Sequence, residues 1–278
     1  MSRKTYKYYF FDEQNDDFAN NGIESKPTPK EWVYLPSNVF YRIFKSVVYY
    51  VCLTIFVFCL FFMGIKLKNK KSLKNRKNKK DGYFIYGNHT GWFMDAVSGP
   101  VAAYGRQCYT IVNSDSINIK GIRWLLKCLG AYPTPSSPTG YVNFVKGINK
   151  AYQKGNPIVI YPEAHIWPRY NKIRDFTAVS FNYPAKLGAP CFAKTTVYKK
   201  RKNGTTHPVI YFDGPVYPDM SLPLKERQAD LADKIKNLMK SRVEECNSAA
   251  DDYHIYLKAE SKEEVRTEIE KIKKSRID

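Results

Sequence analysis

Two short stretches hold the residues best suited to chemistry. The first is GNHTGWFMD, residues 87–95, in which Asp95 follows His89 by six positions. A neutral imidazole can take a proton from a hydroxyl. A carboxylate against its other nitrogen fixes the tautomer and steadies the charged ring that results. A β-rich run at 83–86 precedes the box, so the histidine falls on the loop after a strand, where reactive groups are often carried. On its own, a histidine near an aspartate is also what a hydrogen-bonded structural pair looks like. The second stretch is YPEAHIWPRYNKIRDF, residues 161–176, again after a β-rich run. It offers Glu163, His165, Arg169, Lys172 and Arg174. Arginine forks match phosphate oxygens, so a basic loop beside a carboxylate suits a phosphate-bearing substrate. A plain charged surface loop has the same residue types, but the interleaved Trp167, Tyr170 and Phe176 argue against mere solvation.

These boxes need a frame. From Gly82 onward, β-rich runs at 83–86, 108–112, 158–161, 191–197 and 209–212 alternate with helical patterns. One helix is expected over 121–129. Another carries Tyr141, Phe144, Val145, Ile148 and Tyr152 on one face. The expected fold is therefore α/β, with a mostly parallel central sheet covered by helices. Asn203-Gly204 is a turn signal that predicts a hairpin between its flanking strands. After Ser221 a long helix should run toward Cys246 with Leu231, Ile235, Leu238, Met239 and Val243 inward. A last helix should open at the capping box Ser261-x-x-Glu264.

Residues 1–30 are polar, without an apolar period, and read as a loosely ordered leader. Between Lys45 and Lys66 lie twenty residues without a charge, about the length that crosses a hydrocarbon core. The stretch begins too late and runs too long for a signal peptide. Helical spacing extends it back to Val39, and Trp32, Tyr34 and Tyr41 suit a headgroup-level anchor. A buried core helix is the competing reading. Residues 66–80 then carry nine Lys or Arg in fifteen, within a chain of net charge +19. Directly after an apolar helix, such a run fits anionic lipid headgroups, at about 1 kcal/mol per basic residue near the surface. It also places the rest of the chain on the cytoplasmic side. A basic arm for nucleic acid has a similar composition, but no interleaved aromatic–basic motif accompanies it, so nucleic acid is not expected. The six cysteines lack C-x-x-C pairing and the histidines lack H-E-x-x-H spacing, so no metal is implied and the thiols read as buried small residues.

NHTGWFMD and YPEAHIWP, 74 positions apart from His89 to Glu163, resemble the N-H-x4-D and P-E-G-T-R-S-like boxes of the lysophosphatidic acid and related glycerolipid acyltransferases (PlsC-like lysophospholipid acyltransferases). LGAPCFAKTTVY, residues 187–198, looks like that family's later proline-and-strand element. The first box reads H-x5-D here, one residue longer than usual, with Gly91 expected to absorb the extra residue. In this, and in P-E-A-H-I-W, the sequence is similar to a low-GC bacterial subgroup. Ile166 stands where the family arginine would be. Gly130 begins GAYPTPS with no arginine after it.

The resemblance implies acyl transfer from acyl-CoA or acyl carrier protein to the free hydroxyl of lysophosphatidic acid, giving phosphatidic acid in phospholipid synthesis. His89 would be the general base and Asp95 its orienting partner. N–H groups near Thr90–Trp92 would meet the developing oxyanion. Glu163 would organise the basic loop or bind the acceptor's glycerol hydroxyl, and, with the family arginines absent, Arg169, Lys172, Arg174 or Lys146 would bind the substrate's phosphate. No cofactor beyond the acyl donor is implied, and the partners are membrane lipids, the lysophospholipid acceptor and the donor. The expected organisation is a polar leader (1–31), a membrane-anchoring helical segment (32–65), a basic juxtamembrane linker (66–81), an acyltransferase domain (82–248) and a charged helical extension (249–278), on the cytoplasmic side of the cell membrane. The absent arginines leave open the same chemistry on another lysophospholipid or a glycolipid. The basic run leaves open a non-catalytic protein that binds anionic lipid.

Overall fold

A computed structural model describes residues 4–18, 27–29, 32–36, 38–119 and 121–274. In chain order the elements are β1 (Tyr6–Phe10), α1 (Val39–Phe62), β2 (Lys66–Lys68), β3 (Tyr83–Gly87), α2 (Trp92–Ala102), β4 (Tyr109–Val112), α3 (Arg123–Cys128), β5 (Ala131–Pro133), α4 (Pro138–Gln153), β6 (Pro157–Ile160), α5 (Asn182–Leu187), β7 (Cys191–Lys200), β8 (Thr206–Val216), α6 (Leu224–Glu245), β9 (His254–Lys258) and α7 (Lys262–Lys274). Seven strands form one sheet in the order β2-β8-β7-β3-β6-β4-β5. Every neighbouring pair is parallel except β7 and β8, the antiparallel hairpin about Asn203-Gly204. The expected α/β fold is present.

Strand alternation divides the core between two faces. On β3, Phe84 and Tyr86 pack toward α4 and α6 with Phe144, Ile148, Leu231, Ile235 and Met239. Tyr83 and Ile85 point the other way, onto α1 and α2 with Tyr49, Leu53, Leu60, Met94, Val97 and Val101. Helix α1 is thus one of the layers that cover the sheet. Asn38 caps it by accepting the Tyr41 N–H at 2.9 Å. Tyr49 ties it to the start of β4, its hydroxyl accepting from the Cys108 N–H at 3.1 Å and donating to the Arg106 carbonyl at 3.3 Å. It is also the one helix among the described residues that is long and apolar enough to cross a membrane. Its outward face exposes Phe40, Ile43, Phe44, Val47, Val51, Ile55, Phe58, Phe61 and Phe62.

Four local expectations are corrected. Trp32 and Tyr34 are no headgroup anchors. Both are buried, Tyr34 packed between Tyr132 (4.3 Å between ring centroids) and Phe144 (5.5 Å). The polar leader contains a strand, β1, which runs parallel to β9 with Tyr6 opposite His254. Part of the basic run is folded rather than a linker, since β2 joins the sheet edge and the turn after it buries Leu73. Finally, Gly91 absorbs no unusual angle. Its φ of −163° and ψ of 133° are ordinary extended backbone. A Cβ there would instead strike the Met94 side chain at 2.5 Å.

Candidate active site

His89 leaves the carboxyl end of β3, and the second box leaves the carboxyl end of β6, its parallel neighbour. Adjacent parallel strands therefore bring together two segments 74 positions apart in sequence, at the edge where α/β sheets place ligands. Asn88 fixes the end of the strand. Its side-chain carbonyl accepts from the Thr196 N–H at 2.8 Å, and its amide donates to the Thr196 carbonyl at 3.0 Å.

Asp95 sits in the first turn of α2, where a negative charge is favoured, and is 1% exposed. One carboxylate oxygen, Oδ2, lies 2.9 Å from His89 Nδ1 and accepts the N–H groups of Thr90 (2.9 Å) and Gly91 (3.0 Å). An ionised carboxylate only accepts, so Nδ1 carries a proton, and in the neutral ring Nε2 is then the nitrogen with the lone pair. The other oxygen, Oδ1, accepts from Lys194 Nζ at 2.7 Å. Burial pushes the Asp95 carboxyl up, but the Lys194 ammonium and the hydrogen bond with His89 outweigh it, and the net direction is down. The His89 side chain is 17% exposed and stacks on Tyr161 at 4.4 Å. Tyr161 also donates its hydroxyl to the Asp95 backbone carbonyl.

Glu163 lies behind this pair. It accepts the His89 N–H at 2.9 Å and the Arg174 N–H at 3.0 Å, and it pairs with the Arg174 guanidinium at 3.3 Å. Burial pushes its carboxyl up, against Arg174 and the two backbone donors. The histidine loop is held from the second box at two more points, by Trp167 N–H on the His89 carbonyl (2.9 Å) and Arg169 N–H on the Thr90 carbonyl (3.0 Å). The leader closes over this box from outside. The indole N–H of Trp167 donates to the Asp16 carbonyl at 2.8 Å, and Arg174 donates to the Glu13 carbonyl at 3.0 Å.

His89, Asp95 and Glu163 are therefore brought together, and the expected basic residues stand elsewhere. Arg174 is fully buried on Glu163. The Arg169 guanidinium turns to the Thr206 carbonyl (2.7 Å) and to Asp251 (3.4 Å). Lys172 is exposed, and Lys146 lines an open groove of about 480 Å³ between α4 and residues 32–35. Of the N–H groups expected for an oxyanion, those of Thr90 and Gly91 are engaged by Asp95. Trp92 is the first residue of α2, and its N–H has no partner within the helix. Sequence reasoning missed Lys194 and Tyr161. The signal for Lys194 was a single charge inside the β-rich run 191–197.

A mostly parallel α/β sheet with a histidine just past the carboxyl end of central strand β3, paired with a carboxylate in the first turn of the helix that follows, defines the class of the molecule. A family model described as Acyltransferase matches residues 64–220, more than half of the chain, and the chain belongs to that acyltransferase family. No curated protein shows a significant match. Among solved structures, the 1-acyl-sn-glycerophosphate (LPA) acyltransferase PlsC from Thermotoga maritima is similar, with a TM-score of 0.54 over 78% of this chain and 86% of that one. At 12% identity the likeness is one of fold.

Proposed function

We propose that this acyltransferase transfers a fatty acyl group from acyl-CoA or acyl carrier protein to the free hydroxyl of a lysophospholipid, with lysophosphatidate as the first candidate and phosphatidate as its product. The observation that carries the reading is the 2.9 Å contact between His89 Nδ1 and Asp95. It orients Nε2 as a base toward the acceptor's hydroxyl proton. The oxygen then bonds to the thioester carbonyl carbon, and the carbon–sulfur bond breaks. The imidazolium returns its proton to the departing thiolate. With the Thr90 and Gly91 N–H groups taken by Asp95, the Trp92 N–H is the next backbone donor in sequence for the oxyanion. In this reading Glu163 acts by holding the His89 loop.

The exposed apolar face of α1 and the basic residues after it support placing the protein on the cytoplasmic face of the cell membrane, with the site at headgroup level. Both acceptor and product reside there. The test is His89→Ala, assayed for thioester release with lysophosphatidate in vesicles. The expected loss is about 10²–10⁴-fold in turnover with unchanged expression and vesicle binding. Near-full turnover would sink the proposal.

A second reading keeps the chemistry and changes the acceptor. Arg169 and Arg174 are committed to protein groups, which removes the two forks best suited to a phosphate monoester. A panel of lysophosphatidate, other lysophospholipids and phosphate-free lyso-glycolipids separates the readings, and equal rates on phosphate-free acceptors favour the second.

A further inference from the structure

Lys194 is a charged residue in the middle of β7, flanked by Ala193, Thr195 and Thr196, and no part of it reaches solvent. Its Nζ lies 2.7 Å from Asp95 Oδ1, on the opposite carboxylate oxygen from His89. Its ammonium sits 4.9 Å from the centroid of Tyr161, the ring on which His89 stacks. Space is kept for it. Gly87 pairs with Lys194 across β3 and β7, and a Cβ on Gly87 would come within 3.3 Å of the lysine's Cδ and 2.7 Å of the Tyr161 ring. A buried lysine needs a reason, since taking an ammonium out of water is costly unless it is paired.

We propose that Lys194 is a positioning residue for the catalytic pair, so that the base is a relay of three residues, His89–Asp95–Lys194, drawn from a loop, a helix and a strand. The ammonium occupies one carboxylate oxygen and leaves the other aimed at the imidazole. It also keeps the buried carboxylate ionised, which holds Nδ1 as the proton-bearing nitrogen. The ionisable groups facing Asp95 are His89 from its loop, Tyr161 from the end of β6, and Lys194 and Tyr198 from β7, and Lys194 is the one lysine among them.

The inference rests on the proposed His89 base and is tested beside His89→Ala in the full-length protein on vesicles. Removing a buried cation makes the pair hold protons more tightly. In Lys194→Met the acid limb of kcat/KM should therefore move to higher pH by about one unit or more, with kcat at neutral pH down at least ~10-fold and KM for the acyl donor little changed. Lys194→Arg should keep the limb near its original place. A stability loss with an unshifted limb means that Lys194 is structural only and overturns the proposal. If Lys194→Met does not fold, the double variant Asp95→Asn/Lys194→Met leaves no lone buried charge and supplies the comparison. Its kcat should match that of Asp95→Asn alone, and a further loss would overturn the proposal. Full turnover in His89→Ala would sink the base itself. An inactive His89→Ala with a fully active, unshifted Lys194→Met would sink only the role of Lys194.

Discussion

Glu163 accepts the backbone N–H of His89 at 2.9 Å across 74 residues of chain. Its carboxylate faces donors on both oxygens, from His89, from the Arg174 backbone and from the Arg174 guanidinium. Glu163→Gln presents an amide N–H₂ to one of those donors and leaves it unmatched. The expected cost is about 1–3 kcal/mol of stability, with a lowered kcat because the His89 loop loses its support. Urea unfolding together with initial rates checks both. A variant of unchanged stability and rate removes Glu163 from the site.

The pH dependence of stability has a defined sign at Asp95. Its folded-state value is depressed, so its contribution is complete above the unfolded value of about 3.9 and is lost as pH falls through the lower folded value. The difference in unfolding free energy between the wild type and Asp95→Asn should be level at neutral pH and shrink below about pH 4. Glu163 acts oppositely. Its value is raised, so its contribution falls as pH climbs above about 4.3. Unfolding at a series of pH values measures both, and a gap between wild type and Asp95→Asn that widens in acid contradicts the arrangement.

Ala164 stands in the second box with φ of 60°, a left-handed conformation that penalises a Cβ by about 1–2 kcal/mol. The residue is exposed, so glycine would forfeit little buried surface there. Ala164→Gly should raise the thermal midpoint slightly, by a net fraction of that figure once the unfolded chain's extra freedom is counted. A lower midpoint in a melting curve contradicts this.

Helix α1 makes the membrane reading testable separately from catalysis. Replacing outward residues Phe40, Phe44, Val47 and Val51 with serine leaves Tyr49, Leu53 and Leu60 on the sheet. The altered protein should keep its fold by circular dichroism and lose co-sedimentation with anionic vesicles. Each large side chain contributes about 1.5–3 kcal/mol when fully buried in hydrocarbon. Retained sedimentation in the quadruple variant removes α1 as the anchor.

The sheet was legible because its strands are short β-rich runs separated by helical periods, and each of the five expected runs overlaps an observed strand. The convergence of His89, Asp95 and Glu163 was legible through two boxes that each follow a strand. Trp32 and Tyr34 misled because interfacial and core aromatics share the same chemistry, and only the packing of Tyr132 and Phe144 around Tyr34 decides between them. Arg169 and Arg174 misled for a related reason. Residue type gives the guanidinium's capacity for phosphate, while its direction depends on Asp251, from a distant part of the chain, for Arg169, and on how the box folds back on its own Glu163 for Arg174. β1 is invisible to periodicity because its five residues, YKYYF, owe their order to β9.

That pairing has a consequence for how the molecule comes into being. A chain leaving the ribosome folds its earlier parts first, yet β1 must wait until residues 254–258 have emerged. Until then Tyr256 cannot stack on Trp167, 5.2 Å away in the finished molecule, and the loop carrying Glu163 lacks its outer brace. Both boxes are thus translated well before the second can be locked, and a nascent chain stalled short of residue 254 holds a complete set of reactive groups on an unfinished mount.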